Sequence, residues 1–581
     1  MEYINVTGAD VEPIKEPLKK SYIHVASKQA LTADTLYDFL RDLKDSEQEA
    51  FVFMNPNGTR KSSITFKRWV AQSENLAVSL VDLGVKPRDK VGVIVPNCEE
   101  IVVTVGALLH CAALPVFLTY DLKSGKDIEV KIKDTGISVI IVHIGDAEQR
   151  DIVLKLFGKV LNSECDDTMP TLKHVVLIAD DVPKGGVNFP NLLKEKSDKE
   201  KLGILSCNDN VSMDDPVWIN LTSGSTGKPK YCPLSHRCFV HMAKASQMRI
   251  GLPKGSIMFN DRPMSWMGGV GSFAIALAAE TTIVTIDAKQ TVQNSGPEIF
   301  LQIIQEEKVT YTVLMPYLMY DIMNMETAKR ASYNMSKLKS VMTGGQRIDP
   351  NLIENIKKML GVGIVIGYGL TEGGFISSIF PIADFTKQHL TVGYGAPNVE
   401  ISIRDKDNKI LPINTQGEIC TRGPNVFQGY LNDPAKTNEI IDEYGWLHTG
   451  DIGTLTPYGY VTIVGRLKEF IKRGTVIVHP GKIENILLEH CSIDQVQVVG
   501  VPDPRLYEEL CACIKVKDGL TLTDVEIKEW CKGVFGDFTA DGMNNAPRYF
   551  LMLDQIPTLN NGKVDRESLK KIATEKFGQY M

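Results

Sequence analysis

Short apolar runs rich in β-branched residues punctuate the chain up to residue 395: VGVIVP from Val91, SVIIVHI from Ser138, HVVLIAD from His174, TTIVTID from Thr281, KSVMTGG from Lys339 and VGIVIGYG from Val362. Helix-length segments separate them. A strand that is apolar at every position is buried on both faces, so the pattern predicts sheets covered by helices, an α/β body. The run 101–118, IVVTVGALLHCAALPVFL, approaches the lower length limit of a membrane span. Its Thr104, Gly106, His110 and Pro115 instead predict a buried helix running into a buried strand. Residues 180–210 are polar and lysine-rich and read as a surface excursion. Immediately beyond, VWINL from Val217 predicts another buried strand.

After residue 395 the strands shorten and turn signals multiply: EISIRD from Glu400, GEICTRG from Gly417 and GYVTIVGR from Gly459. This predicts a β-rich subdomain over about 395–466. Beyond Arg466 come a helix from about Lys482, strands at VQVVGV and CACIKVK, a helix near Asp524 and a strand at YFLMLD, enough mixed α and β to fold alone. The expected organisation is a large body of packed α/β subdomains plus the β-rich subdomain, residues 1–466, followed by a small α+β domain, 467–581. Their junction falls near Lys468.

Composition narrows the function without naming it. The 581 residues are 43% hydrophobic and 23% charged, and 64 Lys+Arg against 71 Asp+Glu give a formal charge of −7. These values fit a folded soluble protein and exclude a chain-wide basic field for nucleic acid. The eleven cysteines form no CxxC pair and no sequence cluster with histidine, so neither a zinc site nor a disulfide framework is implied. The opening MEYINVTGADVEPIKEP lacks a signal-peptide core and carries acidic residues, and KFGQYM differs from an SKL-type address. A cytoplasmic protein with no transmembrane segment is expected.

Chemistry concentrates in a few loops. Thr222, Ser223, Gly224, Ser225, Thr226, Gly227, Lys228, Pro229 and Lys230 follow the VWINL strand and offer backbone N–H groups, hydroxyls and two ammonium groups, the donors a polyphosphate needs. The spacing differs from a Walker A loop, and taken alone such a turn is more often a plain loop. The strand VGIVIG runs into Tyr368-Gly369-Leu370-Thr371-Glu372-Gly373-Gly374. Its carboxylate suits Mg²⁺ beside phosphate oxygens, or the segment is only a glycine-rich strand exit. In LHTGD, Asp451 is placed to accept from two ribose hydroxyls, or sits in an ordinary turn.

In order along the chain, TSGSTGKPK, YGLTEGG, GEICTRGPNVFQGY, LHTGD, GRLKEFIK and NNGKVDR resemble the motifs of the adenylate-forming superfamily, which includes acyl-CoA synthetases, firefly-type luciferases and peptide-synthetase adenylation domains. SYIHVASKQALTADTLYDFL, from Ser21, is similar to the opening of medium-chain fatty acyl-CoA synthetases. The resemblance implies that a carboxylic acid attacks the α-phosphate of MgATP, giving an acyl-adenylate and pyrophosphate, after which coenzyme A displaces AMP. It also implies roles. Residues 223–230 would hold the β- and γ-phosphates, Thr371 would meet the α-phosphate and Glu372 would bind Mg²⁺. Gly344, Gly345, Gly367, Tyr368 and Gly369 would flank adenine, and Asp451 and Arg466 would hold the ribose. Lys563 would reach the carboxylate and α-phosphate from a small domain that rotates about Lys468, exchanging this lysine for a thiol-admitting face bearing Lys472 and Gly474.

Four positions depart from the family pattern: Trp266 where histidine is common, Thr475 after Gly474, Lys482 in PGKIE and Tyr231 after the phosphate loop. They bear on thiol transfer and substrate shape more than on ATP. Alternative readings are transfer to a carrier-protein thiol, a luciferase-type oxygenation, or a non-catalytic nucleotide-binding homologue. Ser235-His236 read as a helix N-cap and first turn, with no base to make the serine a nucleophile.

Overall fold

The computed structural model describes residues 14, 16–27, 31–118, 125–223, 229–286, 296–345, 350–379, 391–473, 476–504, 506–536, 546–559 and 563–577. They fall into two compact units, one drawn chiefly from 23–400 and 421–447, the other from 14–22, 401–420 and 448 onward.

The first unit holds two large sheets. One has seven strands in the order Pro229–Ser235, Pro216–Ser223, Leu114–Phe117, Lys90–Ile94, Val139–His143, His174–Ile178 and Val187–Asn188. The nine-stranded sheet runs Tyr394–Gly395, Gly374–Ser378, Gly363–Leu370, Ser340–Gly344, Tyr311–Val313, Ile257–Asn260, Thr282–Ile286, Glu49–Met54 and Arg60–Thr65. Inner strands pair in parallel, and the two-residue alternation of side chains explains why they are apolar throughout. Phe51 and Phe53 enter one core while Val52 and Met54 enter another. In the same way Val139 and Ile141 join the first core, and Ile140 and Val142 a third.

Helices Phe66–Asp82, Glu99–His110, His236–Ile250 and Met267–Ala279 contribute to the core that both sheets share. Trp69 packs edge-on against Phe51 with ring centroids 5.4 Å apart, and its Nε1–H donates to the Val102 carbonyl at 2.7 Å. Gly106 permits that helix contact, since a Cβ there would stand 2.1 Å from Ser73 Oγ. The run 101–118 is a helix, Glu99–His110, followed by the buried strand Leu114–Phe117. No helix among the described residues is long and apolar enough to cross a membrane. Ser235 caps its helix by accepting from the Cys238 N–H at 3.2 Å.

Residues 180–210 are more ordered than their polarity suggests. Strand Val187–Asn188 and helices Phe189–Leu192 and Asp198–Ile204 lie there. The second helix starts on a capping box in which Ser197 and Glu200 satisfy each other's backbone N–H groups, a local signal independent of hydrophobic period.

Among the described residues of this unit three imidazoles are buried. Burial lowers His110, His236 and His241 to about 4 each. Because the unfolded chain keeps an ordinary value near 6.5, it binds more protons in this interval, so the imidazoles' contribution to stability falls as pH drops from about 6.5 toward 4. His110 stacks edge-on against Tyr37 with centroids 5.2 Å apart. His110→Phe is therefore expected to shrink the loss of melting temperature between pH 7 and pH 5. An unchanged loss would place the acid sensitivity elsewhere.

The second unit contains a five-stranded sheet ordered Tyr22–His24, Glu400–Arg404, Gly417–Arg422, Leu447–Leu455 and Val461–Arg466. A second sheet runs Val476–Val478, Ile471–Arg473, Tyr507–Val516 and Ile493–Asp503, with Tyr549–Met552 pairing to Tyr507–Val516. Alternation again sorts its side chains: Leu510, Ala512 and Ile514 enter one core, Cys511 and Cys513 the other. Helices Pro480–Leu487 and Asp524–Phe535 cover the first of these faces, and Arg566–Phe577 the second. Arg473 and Glu509 form a fully buried, two-pronged ion pair, with Nε to Oε1 at 2.6 Å and a second N–H to Oε2 at 2.9 Å. The Leu510 N–H also donates to Glu509 Oε1 at 2.8 Å.

Candidate active site

The described residues at either end of the phosphate-loop motif, Thr222–Ser223 and Pro229–Lys230, lie on two paired strands. Strands Pro216–Ser223 and Pro229–Ser235 pair antiparallel, with Thr222 opposite Lys230 and Ser223 opposite Pro229. Gly224, Ser225, Thr226, Gly227 and Lys228 lie outside the described residues, as does the side chain of Ser223. The hairpin stem positions Thr222, whose Oγ1 is 3.9 Å from Cys232 Sγ, and Lys230.

Glu372 belongs to a second hairpin in the same unit. Gly363–Leu370 and Gly374–Ser378 pair antiparallel around the turn Thr371–Glu372–Gly373, leaving Thr371 and Glu372 half-buried. Segment 425–431 fastens both hairpins. Asn425 Nδ2 donates to the Gly373 carbonyl at 2.6 Å, the Phe427 N–H to the Glu372 carbonyl at 2.9 Å, and the Leu431 N–H to the Tyr231 carbonyl at 2.9 Å. Between them stands Tyr430. Lys230 Nζ donates to Tyr430 Oη at 3.3 Å and lies 4.7 Å from the ring centroid, while the phenol donates to Glu372 Oε1 at 2.7 Å. Burial, and next the Glu372 charge, push the phenol well above its ordinary range, so it stays a donor.

The glycines expected to flank adenine have packing reasons of their own. A Cβ on Gly344 would stand 2.3 Å from the Gly367 carbonyl oxygen across the paired strands, and one on Gly369 2.1 Å from that of Gly374. Gly345 has φ +77, a left-handed conformation that favours glycine. Tyr368 is buried beside them.

In the second unit, strands Leu447–Leu455 and Val461–Arg466 pair with Asp451 opposite Arg466. Arg466 Nε donates to Asp451 Oδ1 at 3.0 Å, and the Asp451 N–H donates to Thr449 Oγ1 at 3.0 Å. Lys563 joins this pair electrostatically. The residue has exposed surface, yet enough protein surrounds its ammonium that burial, then the Arg466 charge, hold it below the ordinary lysine range against the opposing pull of Asp451. The Leu559 N–H donates to the Lys563 carbonyl at 2.7 Å, and Thr558 bridges Val564. Just beyond, Arg566 donates to Glu484 Oε1 at 2.6 Å and to the Val498 carbonyl at 3.0 Å.

Strand pairing adds a grouping that the sequence order does not show. Cysteine and histidine show no cluster along the sequence, yet Gly417–Arg422 and Leu447–Leu455 are neighbours in the sheet and bring Cys420 Sγ within 3.5 Å of His448 Nδ1. That ring nitrogen donates to Glu418 Oε2 at 2.7 Å, and Glu418 Oε1 accepts from the Gly450 N–H at 3.0 Å. The donor atoms of Glu418, Cys420 and His448 lie within 4.8 Å of one another, bracing the turn that carries Asp451.

Of the remaining sites, Lys468 lies in the short 3₁₀ turn Leu467–Glu469 and Lys472 Nζ sits 5.1 Å from the Tyr507 ring. Gly474 and Thr475 fall outside the described residues. Tyr231 is buried, donating to Asp134 Oδ2 at 3.1 Å, and Lys482 is exposed. Trp266 is half-buried at the N-cap of helix Met267–Ala279. Tyr430 and Glu418 carry no role in the sequence reading, although each stands inside the quoted GEICTRGPNVFQGY motif.

Residues 42–431 match the model for AMP-binding enzymes, and 482–563 match that for the AMP-binding enzyme C-terminal domain. The chain belongs to the AMP-binding enzyme family. This AMP-binding enzyme is 28% identical to the medium-chain acyl-CoA ligase ACSF2, mitochondrial, of Danio rerio, over 98% of this chain and 93% of that one. It is 27% identical to the human protein of the same name, over 95% and 89%. An ATP-bound MatB from Rhodopseudomonas palustris has the same fold, with a TM-score of 0.78 at 20% identity, over 94% of this chain and all of that one.

Proposed function

We propose that this enzyme joins a medium-chain, apolar carboxylic acid to ATP and then passes the acyl group to coenzyme A, releasing AMP and pyrophosphate. The observation that carries this reading is the gathering of Asp451, Arg466 and Lys563, from three separate motifs, into one charged group. The ligases named medium-chain among its relatives support the acid class.

In the first half-reaction a carboxylate oxygen forms a bond to the α-phosphorus as the bond to pyrophosphate breaks. Carboxylate and triphosphate repel each other, so cations must stand where negative charge builds up. Lys563, held short of full solvation, fits the carboxylate and α-phosphate role. Thr371 is assigned the α-phosphate, and Thr222 with residues 223–230 the β- and γ-phosphates. Asp451 presents an acceptor for the ribose hydroxyls and is steadied by Arg466. The Glu372 carboxylate and Thr222 hydroxyl are hard oxygen donors suited to Mg²⁺. Bound there, Mg²⁺ would offset phosphate charge. In the second half-reaction the thiol attacks the acyl carbonyl and AMP departs. We assign this step to a rotation of residues 467–581 about Lys468 that brings in Lys472 and Gly474.

The test is incubation with acids of graded chain length, ATP and coenzyme A, with thioester detected by mass. A panel that elicits no acid-dependent ATP–pyrophosphate exchange would sink the reading. Trp266 favours one alternative, adenylation with a different acceptor, because an indole cannot take up a proton as the usual histidine can. Exchange without thioester would support it. A further expectation concerns pH. A lysine held below its ordinary value loses its proton earlier as pH rises, so exchange should decline on the alkaline side at a pH below that of free lysine, near 10.4. A flat profile through that range would remove Lys563 as the titrating group.

A further inference from the structure

Tyr430 sits where two motifs meet and belongs to neither. Its neighbours are the phosphate-hairpin lysine and the turn carboxylate, opposite charges that would neutralise one another if they paired directly. The phenol intervenes, accepting from Lys230 at 3.3 Å and donating to Glu372 at 2.7 Å. It engages Oε1 of the carboxylate and an N–H of the ammonium, whose Nζ also lies 4.7 Å from the ring centroid.

The position is over-determined. Tyr430 is only 8% exposed, its N–H donates to Thr437 Oγ1 at 2.9 Å, and its ring packs edge-on against Phe427 with centroids 5.0 Å apart. The backbone on either side is tied to the Glu372 turn and to Tyr231 of the hairpin. A side chain held this firmly sets the distance between the groups it touches, as a preorganised site requires.

We infer that Tyr430 is a positioning residue that holds Lys230 and Glu372 one phenol apart, presenting the ammonium to nucleotide phosphates and the carboxylate to the divalent cation that accompanies them. This rests on the proposed assignment of Lys230 and Glu372 to MgATP. Without the hydroxyl, the lysine and carboxylate are free to pair, and each is then less available to its ligand. The effect falls on the cation requirement rather than on acid recognition.

Tyr430→Phe removes the hydroxyl and keeps the ring. The measurement is calorimetric binding of α,β-methylene-ATP to the full chain at a series of Mg²⁺ concentrations, with the bound Mn²⁺ signal followed by electron paramagnetic resonance. In Y430F the Mg²⁺ needed for half-maximal nucleotide binding is expected to rise about tenfold or more, as for loss of one hydrogen bond to a charged group. Wild-type protein should show a cation-dependent affinity that Glu372→Gln abolishes. If Y430F titrates with Mg²⁺ like wild type while E372Q loses the dependence, the inference fails and the assignment of Glu372 stands. A lower melting temperature with an unchanged Mg²⁺ titration likewise overturns it, leaving Tyr430 a structural residue. If wild-type protein binds no nucleotide with Mg²⁺, the proposed function falls and the inference with it.

Discussion

Lys563→Ala is expected to lower acid-dependent ATP–pyrophosphate exchange about 10²–10³-fold, equivalent to roughly 3–4 kcal/mol of barrier, the loss seen when one preorganised charge donor is removed. ATP binding should change far less, because the phosphate hairpin, Asp451 and Arg466 are untouched. The size of the effect follows from the setting of the ammonium. It lies close to Asp451 and Arg466 and is partly stripped of water, so its charge is less screened than that of a lysine in bulk solvent. Its backbone is fixed by the Leu559 N–H and by the bridge from Thr558 to Val564. Arg566, three residues on, anchors the same segment to Glu484 and Val498. Single-turnover kinetics, which report adenylate formation directly, together with equilibrium ATP binding, decide the matter. A variant that forms adenylate at the wild-type rate would take Lys563 out of the first half-reaction.

Glu509→Gln should produce the largest loss of stability. Arg473 and Glu509 are fully buried, and removing one charge leaves the other uncompensated, at a cost of about 3–5 kcal/mol. The affected element is the sheet containing Ile471–Arg473 and Tyr507–Val516. In a multi-unit chain a single global unfolding energy is poorly defined. The suitable observable is hydrogen exchange at the Tyr507–Val516 amides, which should open more readily by that amount. Replacing both members, Arg473→Met with Glu509→Leu, should restore most of the protection, since an apolar pair avoids the desolvation penalty. If E509Q exchanges like wild type, the pair is not holding the sheet. Lys472 and Gly474 flank Arg473, so thioester formation should suffer more than adenylation in the single variant.

The strand runs at Val91, Ser138, His174, Thr281, Lys339 and Val362 all form strands of the first unit's sheets, because burial on two faces leaves a signal at every residue. Residues 101–118 form a buried helix and then a buried strand for the same reason. Contacts made by chain return were harder to read. Cys420 and His448 are distant in sequence and adjacent only through strand pairing, and Tyr430 reaches Glu372 from a segment with no regular structure. The glycines of TGG (Gly344, Gly345) and GYG (Gly367, Gly369) carried two meanings at once. Close approach of neighbouring strands already explains Gly344 and Gly369, whatever else the surface does. Residues 180–210 lie largely at the surface, as their polarity predicts, but their weak hydrophobic period left the helix at Asp198–Ile204 unread, and the capping box at Ser197 is the signal that marks it.

Burial of the cysteines also bears on chemical self-restraint. A mixed anhydride of acid and phosphate acylates any thiolate within reach, and Cys232 stands 3.9 Å from Thr222 at the phosphate hairpin. Burial, and next the Glu372 charge, hold that thiol well above its ordinary range, and burial pushes nearby Cys238 to about 12. Both are therefore protonated at neutral pH and poor nucleophiles. If the proposed site is correct, the protein's own sulfur is kept protonated beside it, and an acyl group activated there would pass to an incoming thiol rather than to the protein itself.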